Sequence, residues 1–166
     1  MELVRGALMG SPVSAPSSVD PRVASALVDA FFDALGHFAG ERPALDELGR
    51  VLAPEAQIVE VEGLAPGAAP TETSCYARDA WLSRIARASE QLHDSGQGHF
   101  FHELERTISE LDSRLRVGSI VEERVTQEAR VEHVETLFCS LVVGRVDGET
   151  SIVEVRVRRG SRPPPR

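Results

Sequence analysis

Phe100 to Arg158 reads FFHELERTISELDSRLRVGSIVEERVTQEARVEHVETLFCSLVVGRVDGETSIVEVRVR, and this stretch decides the fold. Its first segment, Phe100–Ser109, alternates. Phe100, His102, Leu104, Arg106 and Ile108 fall on one face of an extended chain, and Phe101, Glu103, Glu105 and Thr107 on the other. A helical period also fits Leu104, Ile108 and Leu111, but the residues beyond them favour a strand. Leu111-Asp112-Ser113 suits a turn, and after it Leu115, Val117, Ser119, Val121 and Val125 alternate with polar or charged neighbours. Val131–Val146 is apolar on both faces between Leu137 and Val143, as in a covered central strand. Asp147-Gly148 supplies the positive φ angles of a tight hairpin and leads into a last strand, Thr150–Arg158. Links this short require antiparallel neighbours, so the stretch predicts a four-strand meander.

Upstream, the signals are helical. Asp20-Pro21 makes a capped start. Val23, Leu27, Phe31, Leu35 and Phe38 then repeat at helical spacing up to Gly40. Pro43 opens a shorter helix, with Leu45, Leu48 and Leu52 as its apolar edge, and Pro54 stops it. Gln57–Val61 reads as a short strand at the sheet edge, and Glu62–Ser74 as a loop. A third helix is expected over Tyr76–Leu92 with Ser74 as cap, presenting Ala77, Trp81, Ile85, Ala88 and Leu92 on one face. The expected fold class is α+β: a curved antiparallel sheet, one short strand plus the meander, wrapped around N-terminal helices. The domain is expected over 20–159, between a disordered Ser/Pro/Ala-rich tail at 1–19 and a disordered basic Pro-rich tail at 160–166.

Composition excludes several functions. The formal charge of −8 argues against a nucleic-acid partner. All eighteen basic side chains are Arg, and the chain has neither Lys nor Asn. That removes a Gly-Lys-Ser/Thr phosphate loop, Schiff-base chemistry on Lys, and any N-glycosylation sequon. Cys75 and Cys139 are far apart and are expected as reduced thiols. No apolar run reaches the ~20 residues that span a membrane, so no membrane partner is expected. MELVRGALMG has an acid at position 2 and too short an apolar core for a secretory signal, which gives a soluble cytoplasmic protein as the expectation.

Two phrases carry a family resemblance. Val28–Val61, VDAFFDALGHFAGERPALDELGRVLAPEAQIVEV, places an apolar helix before a short helix and a Leu-x-Pro-Glu-Ala step, Leu52–Ala56, into a strand. Leu137–Val157, LFCSLVVGRVDGETSIVEVRV, forms the closing hairpin. Together they resemble the SnoaL-like, or nuclear-transport-factor-two-like, superfamily across Val19 to Arg159. The aromatic residue common after the family's last turn is absent. The resemblance implies a cone-shaped fold with a cavity between the concave sheet and the first and third helices. It also implies a choice among isomerases, cyclases, dehydratases, hydrolases, non-enzymatic binders and dimerisation modules, which fold alone does not make. The isomerase set of a carboxylate base with Tyr or protonated Asp donors is not matched: the one Tyr is Tyr76, and the inner strand faces carry no Asp. The dehydratase set of paired His with Tyr and Asp is not matched either.

The candidates for chemistry are His102, Arg106 and Asp33. His102 beside Arg106 offers a general base next to an anion anchor, against the plain alternative of an exposed sheet edge. Asp33 and His37 lie one helical turn apart and suit a local polar pair. Phe31, Tyr76, Trp81, Phe100 and Cys139 are the expected pocket lining, with Cys139 as an apolar filler. A metal at His99 and His102, with Glu103, Glu105 or His133, conflicts with strand geometry, which points positions three apart to opposite faces. No metal and no cofactor is therefore expected. The leading expectation is a pocket domain for a small hydrophobic ligand, homodimeric through the outer sheet face. The alternatives are an isomerase, cyclase or dehydratase working through His102 and Arg106, and an interaction module whose cavity is filled by Phe31, Phe38, Trp81 and Phe100.

Overall fold

The computed structural model describes residues 18–64 and 72–160. The tail expectations fall mostly outside them, but Val19 is 3 % exposed and packs in the core. Among the described residues, three helices, α1 (Pro21–Leu35), α2 (Leu45–Val51) and α3 (Arg78–Asp94), accompany six strands. These are β1 (Leu52–Leu64), β2 (Glu72–Ala77), β3 (Gln97–Leu111), β4 (Arg114–Gln127), β5 (Arg130–Val146) and β6 (Glu149–Gly160). They form one sheet in the order β2-β1-β6-β5-β4-β3, antiparallel throughout except for the parallel pair β1–β6. The sheet is curved and open, and α1 and α3 lie on its concave side.

The meander forms as expected. Asp147 and Gly148 adopt φ of 53° and 81°, the left-handed pair that a two-residue hairpin requires. Leu115, Val117 and Val121 on β4 face Leu137, Leu141 and Val143 on β5, and Val155 on β6 extends the layer. Against it α1 buries Ala24, Val28, Phe31 and Ala34. Asp20 caps α1 by accepting from the Arg22 N–H at 2.8 Å, with Pro21 in the first turn.

Four local expectations are corrected. Helix α1 stops at Leu35 rather than running to Gly40. The backbone of His37 instead pairs with His99 of β3, N–H to O at 2.7 Å and O to N–H at 2.8 Å, which leaves Phe38 66 % exposed. Strand β1 is neither short nor at the edge; it lies between β2 and β6 and buries Leu52, Ala53, Ala56 and Ile58. Pro54 has no N–H to give, and it sits where the β1–β6 register shifts, between Leu52 and Gln57. The edge is β2, which takes Ser74 and Tyr76 into a strand, so α3 starts at Arg78 without a side-chain cap.

The fourth correction bears most on function. β3 carries a bulge between Glu103 and Glu105, where one extra residue enters opposite β4. Side chains alternate with a period of two, so one inserted residue exchanges the faces beyond it. His99, Phe101 and Glu103 face the helices before the bulge, and Arg106 faces them after it. His102 stays on the outer face, where its neighbour on β4 is Glu122. A second bulge, in β6 opposite Val142–Val143, brings Ile152 to the buried face together with Val155.

Candidate functional site

A cavity of about 110 Å³ lies between the α1–α3 pair and the concave face of the sheet. Its aromatic wall starts on α1. Phe31 stacks on Trp81 of α3 with centroids 5.8 Å apart and planes 12° apart, and meets Phe32 edge-on at 5.3 Å. Phe101 of β3 closes against Phe32 at 6.2 Å, while Leu35, Ile85 and Leu137 supply aliphatic wall. These positions follow from the patterns of their elements. The apolar stripe of α3 faces the sheet, and the odd-numbered residues of β3 face inward ahead of its bulge.

Two polar groups of residues interrupt this wall. On β1, Glu60 accepts from Trp81 Nε1 at 3.0 Å and pairs with Arg84 at 2.8 Å. Arg84 Nε in turn donates to the Tyr76 hydroxyl at 3.2 Å, and its guanidinium lies 5.6 Å from the Tyr76 ring centroid. On β4, Glu123 is buried between His99 Nε2 at 3.0 Å and Arg159 Nη1 at 2.6 Å. The same Arg159 nitrogen reaches Glu135 at 2.9 Å. Burial alone would raise the Glu123 pKa, but the His99 hydrogen bond and the Arg159 charge outweigh it and hold the carboxyl at about 2. Arg159 stays cationic; burial opposes its charge and the two carboxylates more than restore it.

The hydrogens follow from the partners. A carboxylate only accepts, so His99 Nε2 carries the hydrogen toward Glu123. His37 is also in the wall, only 4 % exposed. Its Nδ1 lies 3.1 Å from the Phe38 carbonyl oxygen and must donate to it. Burial pushes the His37 ring below its ordinary pKa, with the nearby His99 adding to the effect and the Phe38 carbonyl opposing it. Cys139 is in the wall as well, and burial pushes its thiol up to about 12, so it remains protonated.

Of the residues singled out from sequence, Phe31, Trp81 and Cys139 line the cavity. Tyr76 touches it only through Arg84. Phe100 points to the outer face and packs edge-on against Phe38 at 5.2 Å, so neither ring fills the cavity. Asp33 is exposed, and His37 has left the helix, so the local pair between them does not form. Arg106 is fully engaged elsewhere. It pairs with Asp29 at 2.6 Å and Glu103 at 3.0 Å, and donates to the Ser25 carbonyl at 3.1 Å and hydroxyl at 2.9 Å. Ser119 donates a short hydrogen bond to the same Glu103. The bulge thus separates His102 from Arg106 and leaves both outside the cavity.

Of the polar residues that do converge, His37 and His99 were singled out only for a local pair with Asp33 and a metal site with His102, and Glu60, Arg84, Glu123 and Arg159 were not among the sequence candidates. For Glu123 the signal was present: it continues the alternation of Leu115, Val117, Ser119 and Val121 onto the buried face. His99 and His102 lie on opposite faces of β3, which rules out the metal pair they suggest. Glu123, His133 and Glu135 bring ligand atoms within 4.8 Å of one another, but the Arg159 guanidinium already bonds both carboxylates and supplies the positive charge there.

No family model matches this sequence, and no curated protein matches it. Solved structures do match in shape. The β subunit of the benzoate 1,2-dioxygenase from Burkholderia mallei superposes with a TM-score of 0.63 at 10% identity, over 86% of this chain and 92% of that one. A protein with a cystatin-like fold from Caulobacter vibrioides gives 0.61 at 10% identity, over 83% and 87%. An NTF2-like protein from Cytophaga hutchinsonii gives 0.57 at 9% identity, over 85% and 99%.

Proposed function

On this cystatin-like, NTF2-like fold, we propose that the chain is a pocket protein for a small, mainly apolar molecule of about one aromatic ring. The observation that carries the reading is the cavity between α1, α3 and the sheet, walled by Phe31, Trp81, Phe32 and Phe101. Its 110 Å³ is on the scale of an engineered apolar cavity of about 150 Å³ that stays dry and takes benzene. The ion pairs Glu60–Arg84 and Glu123–Arg159 satisfy their own charges and leave the ring-sized space between them. The enzyme alternative loses the pair it rested on, because His102 and Arg106 do not meet in the cavity.

Trp81 is the single Trp of the chain and stands in the wall, so its emission reports occupancy. Titration with benzene and toluene is expected to change Trp81 emission saturably and to raise the melting temperature by mass action. No change in either readout with either compound would remove the pocket reading.

The outer face of the sheet supports a second part of the proposal, a homodimer. Val134 and Phe138 are 49 % and 37 % exposed there, beside the Glu122–Arg124 and Glu154–Arg156 ion pairs. A two-fold axis through this face sets like apolar residues together and lets charges of opposite sign meet. Sedimentation at tens of micromolar is expected to show a dimer that Phe138→Glu dissociates. A monomer under those conditions would exclude the dimer.

A further inference from the structure

We propose that the molecule held in this cavity is a small neutral ring bearing a hydrogen-bond donor, of the phenol class, and that the donor ends on His37 Nε2. The inference rests on the pocket reading above and adds the polar group of the ligand. His37 is held by two backbone hydrogen bonds to His99 and by its own Nδ1 donating to the Phe38 carbonyl. The ring is neutral, so Nε2 carries a lone pair and can only accept. That nitrogen is buried, and it is the one buried side-chain polar atom without a partner among the described residues. An unmade hydrogen bond at such a site is destabilising, and a donor in the cavity would offset that cost.

The walls define the rest of the ligand. Phe31, Phe32, Leu35 and Phe101 ask for an apolar body. Charge is disfavoured on both sides. The carboxylates of Glu60 and Glu123 repel an anion, and their own arginines already occupy them against a cation. A hydroxyl on a ring meets both demands, whereas benzene leaves Nε2 unpaired. Anisole, of similar shape, brings only an acceptor.

The experiment titrates the full chain with phenol, anisole and benzene, following Trp81 emission. Phenol pays a larger desolvation cost than benzene, so it is favoured only where the protein returns a hydrogen bond. Phenol is expected to bind about tenfold more tightly than anisole or benzene. In His37→Leu the preference of phenol over benzene is expected to fall to about twofold or less. In the unmodified protein, the ¹⁵N resonance of His37 Nε2 is expected to move on adding phenol and to stay in place with benzene, a readout that does not depend on the variant folding. Equal binding of the three probes, a phenol preference that survives in His37→Leu, or a static Nε2 resonance would each overturn the donor assignment while leaving the pocket standing. Failure of all three probes to bind would overturn the pocket reading and this inference together.

Discussion

Glu123→Leu is expected to destabilise the fold by about 3 kcal/mol or more, among the largest effects of any single substitution in this chain. Glu123 is 6 % exposed and joins two elements distant in sequence, β3 through His99 and β6 through Arg159. Removing one partner of a buried pair leaves the other charge without compensation. Arg159 would lose its closest carboxylate, and His99 would lose its acceptor. The same carboxylate makes the fold sensitive to acid. Its folded pKa of about 2 lies below that of an unfolded glutamate, about 4.3. A depressed folded value means that the stabilisation is fully present above the unfolded pKa and is lost as pH falls through the folded one. Glu123 alone is therefore expected to contribute about 3 kcal/mol that disappears between roughly pH 5 and pH 2. Urea denaturation across that range checks it: the unmodified protein should lose stability more steeply than Glu123→Leu. Parallel curves would show that the carboxylate carries no such linkage.

Phe31→Ala is expected to cost about 3–5 kcal/mol. Phe31 is 2 % exposed and is the point where α1, α3 and the cavity meet, stacked on Trp81 and edge-on to Phe32. The lost ring leaves a void continuous with the existing cavity, which the sheet cannot collapse to fill. Two readouts separate this from a general loss of order. The urea midpoint should fall at nearly constant slope. Compounds of two fused rings, too large for the native cavity, should bind the variant and change Trp81 emission. Val23→Ala, on the 42 % exposed side of α1, should stay within about 0.5 kcal/mol of the unmodified protein. A Phe31→Ala cost near that of Val23→Ala would mean that the aromatic wall does not hold α1 to α3.

The meander was legible because its strands alternate or, in β5, are apolar on both faces, and Asp147-Gly148 admits one kind of turn. What escaped was set by pairing between distant segments. Phe38 continues the apolar period of α1, yet the chain leaves the helix because the backbone of His37 finds His99. Around Leu52–Ala56 the pattern is blurred by Pro54, and only the parallel partner β6 places β1 inside the sheet. The bulge in β3 has no Gly or Pro to announce it; it exists in the register with β4, and it moved Arg106 away from His102. The site was therefore legible in its apolar half, Phe31, Trp81 and Cys139, whose burial follows from local pattern. Its polar half depends on partners far apart in sequence, His99 with Glu123 and Arg159, and Glu60 with Arg84, which no single segment reveals.

The most direct test is a crystal grown with 4-bromophenol and measured at the bromine absorption edge. The expected result is one anomalous peak in the space between Phe31, Trp81 and Phe101, with the hydroxyl oxygen about 3 Å from His37 Nε2. Bromine found only on the outer face of the sheet, or nowhere in the molecule, would contradict a ligand cavity in this fold.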